Sequence, residues 1–148
     1  MQIELQSDPD MIARIMTSFD KQQAMKLLKA ELGKILPGEV HIAILYQKAL
    51  TQQNGYIHAG ILTTLVDSAC GYAAYTLMPP GKSVLSIEFK VNFLSPAVGE
   101  KFTGIGKVIK AGQHITVCSG EVFANQNGIE KLVAVMQATM MTVDKRNG

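Results

Sequence analysis

Residues 54–67 read NGYIHAGILTTLVD, and two features in them could do chemistry. At His58-Ala59-Gly60 a polar loop turns into an apolar helix, and the start of a helix leaves backbone N–H groups unpaired under a partial positive charge. Asp67 then puts a carboxylate in the middle of that helix. An uncompensated carboxylate in an apolar segment is costly, so it must be solvated, paired or working. A helix start can stabilise an oxyanion, and a positioned carboxylate can attack a carbonyl or activate a water. The two features lie about 12 Å apart at roughly 1.5 Å of rise per residue. Catalytic groups act at about 3 Å. One helix therefore cannot bring both to the same carbonyl, and a site that uses both draws them from two chains.

The helix that carries them is the clearest element. Over 60–77, Ile61, Leu62, Leu65, Val66, Ala69, Cys70, Ala73, Ala74 and Leu77 recur at helical spacing as one apolar stripe. The other face, with Thr63, Thr64, Asp67, Ser68, Gly71 and Tyr75, is small, mildly polar and free of Lys, Arg and Glu. A solvated face would carry more charge, so this one is predicted to be covered as well. Pro79-Pro80-Gly81 ends the helix. Upstream, Ser7-Asp8-Pro9-Asp10 reads as a helix start, with the helix running to about Ser18. Residues 20–36 have a helical composition, but Leu36-Pro37-Gly38-Glu39 is a turn signal followed by alternation at Val40, Ile42 and Ile44. The expected arrangement there is a hairpin of roughly 28–36 and 39–47. Downstream, Leu85, Ile87, Phe89, Val91 and Phe93 alternate with Ser86, Glu88, Lys90 and Asn92. Strands over 100–110, 114–125 and 131–143 follow, the last two joined at the turn Asn125-Gln126-Asn127-Gly128. One long helix on an antiparallel sheet, with a short N-terminal helix, is an α+β architecture.

With 148 residues, 47% of them hydrophobic, the chain is expected to be one folded domain. Fourteen basic against 12 acidic residues give a net charge of +2, too balanced to argue for nucleic acid or an anionic membrane. The most apolar run, 61–79, is broken by Asp67, Ser68 and several Thr and Tyr residues, so a membrane span is not expected. Cys70 and Cys118 sit in apolar surroundings without a CxxC pair, and the N-terminal stretch has no secretory pattern. Buried thiols in a reducing cytoplasm are the expectation. His41, His58, His114 and the two cysteines lack a metal-ligand spacing, and no cofactor is expected.

Two motifs then point to a family. His58-Ala59-Gly60-Ile61-Leu62-Thr63-Thr64-Leu65-Val66-Asp67 resembles the H-G-G-x-x-x-x-L-x-D helix start of hotdog-fold acyl-CoA thioesterases of the phenylacetyl-CoA and 4-hydroxybenzoyl-CoA type. Ser86-Ile87-Glu88-Phe89-Lys90-Val91-Asn92-Phe93-Leu94-Ser95-Pro96 resembles that group's S-x-E/D-x-x-x-x-F/Y-x-S-P strand. The resemblance covers roughly residues 25–143, with 1–24 as a helical extension. It implies a hotdog fold and hydrolysis of a medium-chain or aromatic acyl-CoA. It also implies Asp67 as nucleophile or general base, the N–H of Ala59 beside Gly60 as the carbonyl-polarising donor, and homodimers with shared sites, sometimes paired into tetramers. Ala59 departs from the family's first Gly; the backbone donor survives, and a methyl is added where acyl groups approach. Gln52, before the His, takes the place of a family Asn or Gln that holds water or carboxylate, with Gln53 and Asn54 as competitors. Ser86 stands where some members place an assisting Ser or Thr.

Each assignment has a plainer counterpart. A mid-helix Asp outside any motif is usually solvated or paired. His58 could simply cap the helix. Ser86, in phase with Glu88 and Lys90, could face solvent, and Asn54-Gly55 is itself a turn dipeptide. Tyr75 and the methionines offer a pocket lining, or ordinary core. Two other functions compete: a non-catalytic acyl-CoA-binding module, and a hydratase acting on enoyl thioesters.

Overall fold

The computed structural model describes residues 8–146. Helix α1 spans Pro9–Lys21. Asp8 caps it, accepting from the Asp10 N–H at 2.9 Å, with Pro9 in the first turn; Ser7 lies outside the described residues. Met11, Ile15 and Phe19, four residues apart, form its buried stripe. The helix runs three residues past the expected end. A one-turn helix α2, Gln23–Leu27, follows it where a strand was expected to begin soon after. Lys29 takes a positive φ of 53°, and the first strand starts only at Glu31. The helical composition of 20–27 prevails locally, and the hairpin β1 (Glu31–Leu36) and β2 (Glu39–Leu45) turns at Pro37-Gly38, where Gly38 has φ 76°.

Helix α3, Ala59–Thr76, crosses the sheet. Strands β3 (Lys82–Phe93), β4 (Lys101–Ala111), β5 (Ile115–Gln126) and β6 (Ile129–Asp144) complete it. All pairings are antiparallel in the order β1-β2-β4-β5-β6-β3. The helix therefore sits on a six-stranded antiparallel sheet, the α+β hotdog arrangement that the motifs imply. Asn127 and Gly128, at φ 53° and 77°, make the two-residue turn from β5 to β6.

Two glycines let α3 lie close to the strands. A Cβ on Gly106 of β4 would fall 2.4 Å from the backbone of Ala69 and Cys70, and one on Gly120 of β5 would fall 2.5 Å from Val66 Cγ2. Around this contact, Leu65, Val66, Ala69, Cys70, Phe102 and Val122 are fully buried. On the opposite side α1 packs on α3, with the Phe19 and Tyr72 rings 6.0 Å apart and Arg14 donating to the Met78 carbonyl at 3.2 Å. The uncharged face of α3 is thus covered in part by this chain's own N-terminal helix: Ser68 and Tyr75 are buried.

Candidate active site

The α3 N-terminus is built by the loop before it. His58 is the cap, its Nδ1 accepting from the Gly60 N–H at 2.9 Å, so its ring proton sits on Nε2. Its own N–H donates to the Leu50 carbonyl at 2.9 Å. With Gly60 engaged by the cap, Ala59 is left with an N–H that has no acceptor among the described residues. Gln52 braces the same loop: its N–H donates to the Tyr56 carbonyl and its Oε1 accepts from Asn54 N–H. Gln52 and Ala59 both line a cavity of about 400 Å³, with Tyr56, Leu62, Phe93 and Pro96.

Asp67 lies two turns on, half-buried, in a second cavity of about 160 Å³. Ser86 Oγ donates to Asp67 Oδ1 at 2.7 Å and lies 3.3 Å from Met140 Sδ. Among the described residues no Lys, Arg or His forms an ion pair with Asp67. Its pKa is raised by desolvation, with the Ser86 hydrogen bond pulling the other way. A carboxylate so placed keeps a basic lone pair in reach of a proton or a carbonyl.

Ser86 faces the helix because β3 carries a bulge. Ser86 pairs with Met140 and Glu88 with Thr139, so Ile87 is an extra residue without a partner of its own. The bulge shifts the alternation by one residue. Beyond it Phe89 and Val91 share the face opposite buried Ala138 and Met136, and before it Ser86 does so opposite buried Met140. The unbroken alternation that set Ser86 beside Glu88 and Lys90 is therefore corrected.

The structure brings Asp67 and Ser86 together, and Ala59, Gly60, His58 and Gln52 together, as two groups at different heights of one helix. Asn54 touches the second group only through its backbone N–H on Gln52, and Tyr75 joins neither. Asn54 is exposed in the Gln52–Gly55 turn, and Tyr75 lies under Arg14, whose guanidinium is 5.6 Å from the ring centre. Ser18, Gln22 and Ser83 line the Asp67 cavity although no sequence signal marked them; they arrive there through the packing of α1 and the start of β3. No described group of three His, Cys, Asp or Glu side chains could hold a metal. No described helix is long and apolar enough to cross a membrane.

The profile of the thioesterase superfamily matches residues 54–131, the stretch from the loop before α3 into β6. A thioesterase family protein of Silicibacter pomeroyi, known by crystal structure, is 44% identical. It superposes with a TM-score of 0.90 over 91% of this chain and 99% of that one. A Saccharolobus solfataricus protein designated a candidate esterase is 32% identical, over 73% of this chain and 77% of its own. The PaaI protein of the E. coli phenylacetic acid degradation operon, at 18% identity, shares the fold with a TM-score of 0.81 over 90% of this chain and 93% of its own. The chain belongs to the thioesterase superfamily, and thioester hydrolysis in general terms is its chemistry.

Proposed function

We propose that the protein is an acyl-CoA thioesterase that converts a medium-chain or aromatic acyl-CoA to the free acid and coenzyme A. The observation that carries this reading is the Asp67–Ser86 pair: a half-buried carboxylate without an ion-pair partner among the described residues, its basicity raised and its rotamer held by one hydroxyl. Asp67 acts as nucleophile or general base. The free N–H of Ala59, at a helix start with its partial positive charge, receives the oxyanion. Gly60, His58 and Gln52 hold that N–H in place. Thiolate is a good leaving group, so the step requires no cofactor.

Because Ala59 and Asp67 sit about two turns apart on one rigid helix, roughly 12 Å by helical rise, each site combines the Asp67 of one chain with Ala59 of the partner subunit. The edge strand β3 supports such a homodimer. It is 12 residues long, and Leu85, Ile87, Phe89 and Phe93 are all exposed on it in the single chain. A long apolar edge invites pairing. Pairs of dimers, a single domain over 1–148 and a cytoplasmic setting for the two buried thiols complete the proposal. The PaaI protein's operon favours aromatic acyl groups as the first to test.

Thiol release from acetyl-, hexanoyl-, lauroyl-, palmitoyl-, phenylacetyl- and 4-hydroxybenzoyl-CoA tests the reading. Wild type turns over one class, and Asp67→Asn, folded, loses about 100-fold or more. Binding without turnover by wild type would instead establish an acyl-CoA-binding module.

A further inference from the structure

A further cavity opens beside the one that holds Asp67. It measures about 310 Å³ and lies between α1, the start of β3 and the segment after β6. Ser18 and Ser83 line both cavities, so the two adjoin there. Helix α1 runs back along α3: Ser18 meets Tyr72 at 3.2 Å, and one turn earlier Arg14 meets Tyr75 and the Met78 carbonyl. The way from Asp67 past Ser18 and Ser83 therefore leads toward Arg14. The far cavity is cationic. Arg14, Lys21 and Lys145 line it with Thr17 and the two serines, and no Asp or Glu does. Among the described residues none of the three cations forms an ion pair. Arg14 is the anchor. It is half-buried, its Nη1 donates to the Met78 carbonyl at 3.2 Å, and its guanidinium lies 5.6 Å from the Tyr75 ring centre. Most of its N–H donors have no partner among the described residues. Lys145 is placed by its own N–H, which donates to the Gly81 carbonyl at 3.0 Å. A cleft lined by one sign of charge concentrates ligands of the other sign, and a fixed guanidinium suits a carboxylate.

We propose that this cavity receives a carboxylate at the far end of the acyl group, so that the substrate is the coenzyme A thioester of a dicarboxylic acid. The inference rests on the thioesterase reading above and narrows its medium-chain class. Length decides the size of the acid. Tyr75, under Arg14, lies about two turns of α3 beyond Asp67, roughly 12 Å by helical rise. The attacked carbon stands about 3 Å from Asp67, and the hydrogen bond between guanidinium and carboxylate takes about 3 Å more. About 6 Å remains, and an extended chain gains about 1.2 Å per bond, so the acid has about six carbons. A phosphate of coenzyme A hangs about thirteen bonds from the sulfur, roughly 16 Å when extended, and overshoots the cavity.

Thiol release is compared on length-matched pairs: succinyl- with butyryl-CoA, adipyl- with hexanoyl-CoA, and suberyl- with octanoyl-CoA. Wild type, Arg14→Gln, Arg14→Lys, Lys21→Gln and Lys145→Gln are each read as the ratio of kcat/KM within a pair, which cancels any general loss of folded enzyme; Asp67→Asn is the inactive control. We expect wild type to favour the acid over its neutral partner by about 10-fold or more, most of all at adipyl-CoA. Arg14→Gln should lower that ratio about 10-fold, as the loss of a charge-assisted hydrogen bond does. Arg14→Lys keeps a cation and should retain part of the preference. Lys21→Gln and Lys145→Gln, at exposed positions, should each lower it about threefold. A wild-type ratio at or below one overturns the proposal, and so does a ratio that Arg14→Gln, Lys21→Gln and Lys145→Gln all leave unchanged. A KM raised equally for acid and neutral partner would put a coenzyme A phosphate in the cavity and overturn it too. If wild type releases no thiol from any acyl-CoA, both this proposal and the thioesterase reading fall. If hexanoyl-CoA is hydrolysed by wild type and not by Asp67→Asn, while adipyl-CoA is no better a substrate, this proposal alone falls.

Discussion

At the residue scale, the hydrogen bond from Ser86 sets the chemistry open to Asp67. Burial raises the Asp67 pKa and the Ser86 hydroxyl lowers it. Activity that needs the carboxylate should fall on the acid side with an apparent pKa above the ordinary aspartate value. In Ser86→Ala the opposing bond is lost, so the acidic limb of the kcat profile moves to higher pH; a limb that stays put would detach Ser86 from Asp67. The same shift has a sign for stability. A folded pKa above the unfolded one favours folding in acid, and this contribution fades as pH rises through the folded pKa. Asp67→Asn, which never ionises, should therefore melt at or above wild type at pH 8 while being inactive. His58 is separable from this pair. His58→Ala loses a helix cap and should cost about 1 kcal/mol in urea unfolding, with most of it restored by His58→Asn. The place of Asp67 on α3 and the start of that helix were legible in the sequence, because a lone carboxylate on an otherwise uncharged helix face is out of place. The direction of Ser86 was not, since one unpaired residue at Ile87 reverses an alternation that looks regular on paper.

Elements were legible where periodicity is strong. The stripe of α3 places that helix, and the strands expected over 100–110, 114–125 and 131–143 fall within a few residues of β4, β5 and β6. The stretch 20–31 was not, because helical composition and a nearby turn signal pull in opposite directions, and a corner at Lys29 divides them. Strand order was invisible too, since sequence neighbours β3 and β4 lie at different places in the sheet. Least visible was the seat of α3. Gly106 reads as an ordinary strand glycine, yet a methyl there would sit 2.4 Å from the helix backbone. Gly106→Ala must push α3 off the sheet, and we expect about 1–3 kcal/mol of lost stability by chemical denaturation. The shift also moves Asp67 against Ser86, so kcat falls with it; full activity in a destabilised Gly106→Ala would show that the site tolerates the displacement.

For the whole molecule, the proposed pairing of chains makes a prediction that a monomeric site cannot meet. Ala59→Pro removes the N–H at the helix start that has no acceptor among the described residues. The change is mild for the fold, since proline is favoured in a first helical turn and His58 already has ψ 136°, as a residue before proline requires. Ala59→Pro and Asp67→Asn should each be inactive as homodimers. Mixed by unfolding and refolding together in equal amounts, they should recover roughly a quarter of wild-type activity, because half the dimers then hold one intact site of two. No recovery would place both groups in sites of a single chain. The buried thiols have a consequence for any such measurement. Cys70 and Cys118 are fully enclosed, and burial pushes Cys118 up to about 11 and Cys70 higher still. A chromogenic disulfide added to the folded protein should meet released coenzyme A at once and the protein's own sulfurs only as α3 lifts from the sheet. One cuvette would then hold two clocks: a fast one that counts turnovers, and a slow one, running without substrate, that times the breathing of the core.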